Sequence, residues 1–215
     1  MKSKLTPEMA EFIGMHVGDG TLYRVGKSSL VWEMRGDIKE KDYYNNFVVP
    51  LLRKLFDFEF KAKKRSGGKN GCYGIQTTNK ILINAILSFG IKLGKKVDIF
   101  IPTKIMRSDF SIQTAFLRGY FDTDGCFRLD KPNKSLIAYY PKIEFSSYSR
   151  KLRDDVKKLL KKIGLKSNIW NTEPRHEHRL CLAGKKKTIF WIENIFSSNP
   201  KNKSKFISYQ EKFLK

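Results

Sequence analysis

With 215 residues, 40% of them apolar and 13% aromatic, the chain can bury a core, either as one sizeable domain or as two small units on a shared core. Lys and Arg number 43 against 21 acids, a formal charge of +22 spread along the whole length, which argues against a disordered basic tail and for a polyanionic partner, nucleic acid ahead of a membrane surface. No run is long enough to span a bilayer and no signal-peptide pattern opens the chain, while Cys72, Cys126 and Cys181 are too far apart for a zinc finger or disulfide framework. They read as buried free thiols in an intracellular, cytoplasmic or nucleoid-associated protein.

Thr6-Pro7-Glu8 predicts a capped helix start, and the helix runs to about Gly18. Extended segments follow at Thr21 to Val25 and Ser29 to Arg35, joined by a turn at Gly26 to Ser29. Lys41 to Phe56 reads as a helix that Pro50 kinks or divides. Phe58 to Arg65 alternates, with Phe58, Phe60 and Ala62 on one face and basic residues on the other. A turn and a strand from Cys72 to Thr78 complete a basic hairpin, a shape that fits a DNA major groove. A short helix, Asn79 to Leu87, leads to a basic linker at Leu93 to Lys96.

The second half repeats this order. A helix from Asp109 to Thr123 precedes strands at Cys126 to Asp130, Ile137 to Tyr140 and Lys142 to Ser146. A helix from Ser149 to Ile163, ended by Gly164, exposes Lys157, Lys158, Lys161 and Lys162. Lys166 to Thr172 and Arg179 to Ala183 form a second hairpin, whose tip carries His176 and His178 as phosphate contacts or solvated groups. Lys187 to Phe196 is the matching short helix, followed by a basic segment, Pro200 to Lys205.

The two halves share one further pattern. Each opening helix is apolar with small residues four apart, Gly14 and Gly18 in one and Gly119 and Thr123 in the other, and each ends in Asp-Gly, at Asp19-Gly20 and Asp124-Gly125. Such stripes let two helix backbones approach closely. Gly20 and Gly125 are expected to stop the helices in the left-handed conformation, and His16 to be a packed residue of the seam. A carboxylate in a last helical turn opposes the macrodipole, and two brought together by helix packing call for a cation. One Asp-Gly alone is most often a turn; two copies at the ends of matched helices, 105 positions apart, predict a divalent-metal site with one acid from each repeat.

The stretch FLRGYFDTDG resembles the LAGLIDADG motif of homing endonucleases through Leu117, Gly119, Asp122, Asp124 and Gly125. FIGMHVGDG is a weaker copy through Gly14, Asp19 and Gly20, with His16 and Val17 departing from the usual pattern. Two motifs in this length resemble the family's single-chain form. The resemblance implies an α+β fold of two pseudo-symmetric αββαββα repeats, residues 1–105 and 106–215, joined at a central two-helix seam, with antiparallel sheets forming a DNA-binding saddle. It implies a monomer that hydrolyses both strands of a long double-stranded DNA target, and a gene carried by an intron.

Asp19 and Asp124 would hold Mg²⁺, with Mn²⁺ or Ca²⁺ as alternatives in the same site, helped by the backbone carbonyls of Gly18 and Thr123. The family's basic stretches suggest Lys96 and Lys205 as catalytic lysines. Its usual glutamine is replaced near Asp37 and Ser147, which leaves the surrounding roles open. DNA contacts are expected from Arg24, Glu33, Arg35, Lys61, Lys63, Arg65, Gln76, Arg128, Asn168, Trp170 and Arg179. The competing class is a non-cleaving binder on the same scaffold, either a maturase with intron RNA as partner or a DNA-binding regulator; two retained aspartates favour cleavage. An endonuclease domain from an intein ranks below both, as no self-splicing blocks flank the chain and it opens with Met1.

Overall fold

The computed structural model describes residues 5–67, 71–94, 96–132, 135–172 and 177–214. Helix α1, Pro7–Gly18, starts as expected: the Thr6 hydroxyl oxygen accepts from the Met9 amide at 3.2 Å, and Pro7 holds the first turn. It runs directly into β1, Gly20–Val25, which pairs with β2, Ser29–Asp37. A capped 3₁₀ turn at Ile38–Glu40 leads to a divided helix. Its pieces, α2 (Lys41–Tyr43) and α3 (Val49–Phe56), flank a π-helical Tyr44–Val48. Pro50 is the cause: it has no amide hydrogen to give the preceding turn, which relaxes into wider spacing.

Strands β3 (Lys63–Arg65) and β4 (Cys72–Thr77) complete a sheet of order β1-β2-β4-β3. The expected strand from Phe58 is cut to its last three residues. Asp57 leaves the helix in the left-handed conformation (φ 45°), Phe60 turns into the core against Phe56, and Phe58 stays 47% exposed. The two rings therefore do not share a buried face, and Phe58 to Ala62 has no ladder partner. Helix α4 (Lys80–Ser88), capped by Asn79, and a 3₁₀ turn at Lys96–Asp98 close the half.

A short helix not foreseen, α5 (Thr103–Met106), leads to α6, Phe110–Asp124, capped by Asp109. Then come β5 (Gly125–Asp130), β6 (Tyr140–Ser147), α7 (Arg150–Lys162), β7 (Asn168–Thr172), β8 (Glu177–Ala183) and α8 (Lys185–Asn194), with sheet order β5-β6-β8-β7. The two fragments expected around Pro141 are one strand. Pro141 sits at its start, before pairing with β8 begins at Lys142, so its missing amide is tolerated, and Ile137 lies outside the ladder. The basic segment at Pro200 opens a fourteen-residue helix, α9 (Pro200–Phe213), which buries Phe206 and Tyr209 three residues apart.

The fold is thus α+β: two antiparallel four-stranded sheets with the same strand order, and helices on one face of each. One continuous apolar core joins the halves, from Phe12 and Trp32 to Phe121 and Trp191. Its centre is the packing of α1 against α6. A side chain at Gly14 would strike the Phe116 carbonyl oxygen, and one at Gly119 the Glu11 carbonyl oxygen, so backbone meets backbone at the seam. Glu11 and Arg118 lock the two helices with a paired hydrogen bond, Nε to Oε1 at 2.8 Å and Nη2 to Oε2 at 2.7 Å. Among the described residues, no helix is long and apolar enough to cross a membrane.

Candidate active site at the helix seam

Side-by-side packing brings the C-terminal ends of α1 and α6 together. A side chain at Gly18 would collide with the Thr123 hydroxyl and reach the Asp124 carboxyl carbon. Asp19 caps α1 and Asp124 is the last residue of α6, so the two carboxylates lie where the first strands of the two sheets begin. The glycines after them differ from expectation. Neither takes a positive φ, and each helix passes straight into a strand, with Gly125 at φ −98° and ψ 158°. They are glycine for space: a side chain at Gly20 would meet His16, and one at Gly125 would meet Phe121.

Burial and the neighbouring Asp124 carboxylate push the Asp19 carboxyl up to about 7, with Lys96 pulling the other way. Burial pushes Asp124 up to about 6, again opposed by Lys96. Burial lowers the Lys96 ammonium from its ordinary value, while both aspartates act to raise it. Lys96 Nζ donates to the Gly18 carbonyl oxygen, and to that of Val17 at 3.3 Å. The expected group of Asp19, Asp124, Gly18 and Lys96 is therefore assembled, and Thr123 flanks it, its hydroxyl donating back to Tyr120 at 3.0 Å.

Lys205 is not part of this assembly. Its ammonium donates to the Phe127 carbonyl at 3.3 Å, in a groove it lines with Tyr209. A different lysine, Lys201 in the first turn of α9, acts electrostatically on Asp19. Glu40 also acts on Asp19 and was not foreseen. Asn199 ties these parts together: Nδ2 donates to Glu40 Oε1 and to the Asp122 carbonyl, both at 3.0 Å, and Oδ1 accepts from the Lys201 amide at 3.1 Å. Asp37 caps the 3₁₀ turn that carries Glu40, its Oδ1 accepting from Lys39 at 2.9 Å, and Ser147 Oγ accepts from the Ser149 amide at 3.0 Å.

His16 is a packed residue, as expected. It is buried, Trp32 Nε1 donates to its Nδ1 at 3.0 Å, and burial drives its pKa down to about 3. Asp122 is buried at the seam, where it accepts from Ser197 Oγ and, at 2.9 Å, from the Ser198 amide; burial still raises it to about 7.

The expected DNA contacts divide by sheet register. Glu33, Arg35, Lys63, Arg65 and Gln76 alternate with the buried Trp32, Met34 and Ile75, so they share the face turned away from the helices. Arg128, Asn168 and Arg179 do the same in the other sheet, opposite Phe127, Ile143 and Leu180. Arg24 is a correction: it pairs with Leu30 on the face of Leu22 and Trp32, at the strand end, and its Nη1 donates to the Lys27 carbonyl. Lys61 is exposed but precedes β3. Trp170 pairs through its backbone with Arg179; its side chain and the hairpin tip with His176 lie outside the described residues. His178 belongs to β8, opposite Ser147.

The cysteines depart from a uniformly buried set. Cys126 is exposed and Cys72 half-buried, both by strand alternation, while burial pushes the Cys181 thiol up to about 11.

The family model for a LAGLIDADG-like domain matches residues 111–199, which include all but the first residue of α6 and the second Asp-Gly. Residues of the chain are 35% identical over 125 positions to the replication factor C small subunit of Methanocaldococcus jannaschii, covering 58% of this chain and 6% of that protein. They are 24% identical over 179 positions to the ribonucleoside-diphosphate reductase NrdEB subunit alpha of Bacillus subtilis, covering 81% of this chain and 16% of that one. The chain thus spans a small part of the length of these curated relatives.

Among solved structures, the homing endonuclease I-DmoI in complex with DNA and Ca superposes at a TM-score of 0.67, with 17% identity, 94% of this chain and 97% of that one covered. The homing endonuclease I-WcaI bound to its DNA recognition sequence superposes at 0.63, with 15% identity, 94% of this chain and 87% of that one covered. The resemblance read from the two Asp-Gly helices therefore holds: residues 111–199 match a LAGLIDADG-like domain, and over nearly its whole length the chain has the fold of these homing endonucleases.

Proposed function

We propose that the chain is a site-specific endonuclease that hydrolyses both strands of a long double-stranded DNA target, acting as a monomer built from repeats 1–105 and 106–215. The observation that carries this is the pair Asp19 and Asp124, two mutually repelling carboxylates from equivalent helix ends, at the junction of the two sheets in a chain of net charge +22. Carboxylate and carbonyl oxygens without sulfur or imidazole suit a hard divalent ion, Mg²⁺ first, with Mn²⁺ and Ca²⁺ as alternatives. Relatives of this fold are described with DNA together with Mn or with Ca, which supports the same class of ion here.

Asp19, Asp124 and the Gly18 carbonyl would hold the ion, and Thr123 offers a fourth oxygen. When bound, the ion supplies Lewis-acid activation of water and stabilises the leaving oxygen. Lys96, close to both acids, offsets negative charge that develops on a phosphate between them. Glu33, Arg35, Lys63, Arg65 and Gln76 in one sheet, and Arg128, Asn168 and Arg179 in the other, would contact the duplex, some at base edges and others at phosphates. Lys205 and Arg24 fit phosphate contacts better than catalysis or base reading. A segment shared with a replication factor subunit and a reductase subunit reads as a mobile module, of intron or inserted origin, working where DNA is found inside the cell.

The test is Asp19→Asn and Asp124→Asn on a selected target with Mg²⁺ and with EDTA. Each variant should lose double-strand cleavage by at least about a thousandfold while keeping salt-sensitive DNA binding. Cleavage retained by either variant refutes the metal-site assignment. No cleavage by the unaltered protein on any DNA, with tight binding to a structured intron RNA, would favour the maturase class.

A further inference from the structure

One row of residues crosses each sheet at the same place. Thr21 lies two residues past Asp19 and pairs with Glu33, which pairs with Gln76. Cys126 lies two residues past Asp124 and pairs with Glu144, which pairs with Cys181. Glu33 and Glu144 are therefore counterparts under the internal symmetry, each in the second strand of its sheet. Glu33 is set between the buried Trp32 and Met34, and Glu144 between the buried Ile143 and Phe145, so both project from the face away from the helices.

A carboxylate on a face that meets a polyanion is unfavourable unless something there requires it. Both acids are low on that face, with only 13% and 12% of their side chains accessible, and each has an arginine beside it. Arg128 holds Glu144 by two bonds, Nε to Oε2 and Nη2 to Oε1, both 2.9 Å. That fork fixes the plane of the carboxylate, while each oxygen retains acceptor capacity. Arg35 lies 3.8 Å from Glu33, an ion pair too long for a hydrogen bond. An oriented acceptor on a strand that faces the major groove matches an exocyclic amine, of cytosine N4 above all, and repels phosphate and the acceptor edges of guanine and thymine.

Resting on the nuclease reading above, we infer that Glu33 and Glu144 are base-reading, specificity-determining residues. Each accepts from the amino group of a cytosine, at two target positions related by the pseudo-twofold axis, with Arg128 as the positioning residue for Glu144. Neither residue belongs to the metal-holding group, so sequence preference and cleavage chemistry are separable.

The test is a binding selection by the full chain on a randomised double-stranded DNA library in Ca²⁺, repeated with Glu33→Gln and Glu144→Gln. The unaltered protein should select cytosine at two positions equidistant from the target centre. Glutamine, which pairs with adenine, should move one of these positions from cytosine to adenine, by roughly tenfold in relative affinity, each variant affecting its own half-site alone. Two outcomes overturn the inference while leaving the nuclease reading intact: an unchanged consensus in both variants, or tighter binding to all sequences alike, which is the loss of a negative charge and nothing more. Failure of the unaltered protein to select any sequence would instead remove the nuclease reading, and this inference with it.

Discussion

A carboxylate that ends a helix faces the negative pole of its dipole, and Asp19 and Asp124 both stand there, against each other and largely out of water. Their pKa values rise, and so does that of Asp122. The folded chain then holds protons that the unfolded chain releases near pH 4, so these groups weaken the metal-free fold as pH rises from about 4 to 7. His16 works the other way: buried neutral, it weakens the fold as pH falls below about 6.5. Denaturant titrations across this range should separate the two. Asp19→Asn should stabilise the metal-free protein at pH 8 and flatten its alkaline loss, and His16→Gln, which keeps an acceptor for Trp32, should flatten the acid loss. The slopes involved are about 1.4 kcal/mol per pH unit per group at most. An unaltered slope in both variants would show that neither residue is buried as described. Asp19 and Asp124 were legible from motif and spacing, because helix ends and their glycines leave a local signature, whereas Lys96 was reached only through the family resemblance. Glu40, Asn199 and Lys201 were not, because they reach the site through a loop and a helix start more than 150 residues apart in sequence.

At the scale of elements, the seam between α1 and α6 depends on missing side chains. A methyl group at Gly14 or Gly119 would overlap a backbone carbonyl oxygen of the partner helix, which cannot rotate away. Gly119→Ala is therefore expected to destabilise by on the order of 3 kcal/mol, more than Ala substitution at the exposed Gly26 turn, in urea unfolding. An equal effect at both sites would mean that the helices do not touch closely. The stripe of small residues made this seam legible, since the steric requirement is written in residue size. The length of β3 was not legible: alternation persists from Phe58 onward, but the left-handed exit at Asp57 and the turn of Phe60 into the core keep Phe58 to Ala62 off β4, which runs on to Thr77. α9 was missed for a related reason, as its charged first turn hides the Phe206 and Tyr209 stripe that follows.

As a whole molecule, the chain has two sheets of identical strand order but one core, and α1 buries its seam face only against the other half. Residues 1–105 produced alone should therefore either unfold or form a dimer through α1, by sedimentation and circular dichroism; a stable folded monomer would show that the repeats are independent domains. The charge of +22 should make DNA affinity fall by about a thousandfold or more between roughly 50 and 200 mM salt, if six or more phosphates are contacted. A shallow salt slope would contradict a duplex lying along both sheets.

What the sequence determined by itself was the duplication, the helix pair, the acids at its ends and the excess of positive charge, because periodicity, residue size and net charge act locally or simply add. Tertiary structure alone decided which lysines and acids meet the two aspartates, which strand faces point away from the helices, and that Glu33 and Glu144 are counterparts. Those depend on strand register and on loops that close across the seam, where one residue of slip would turn every side chain to the other face.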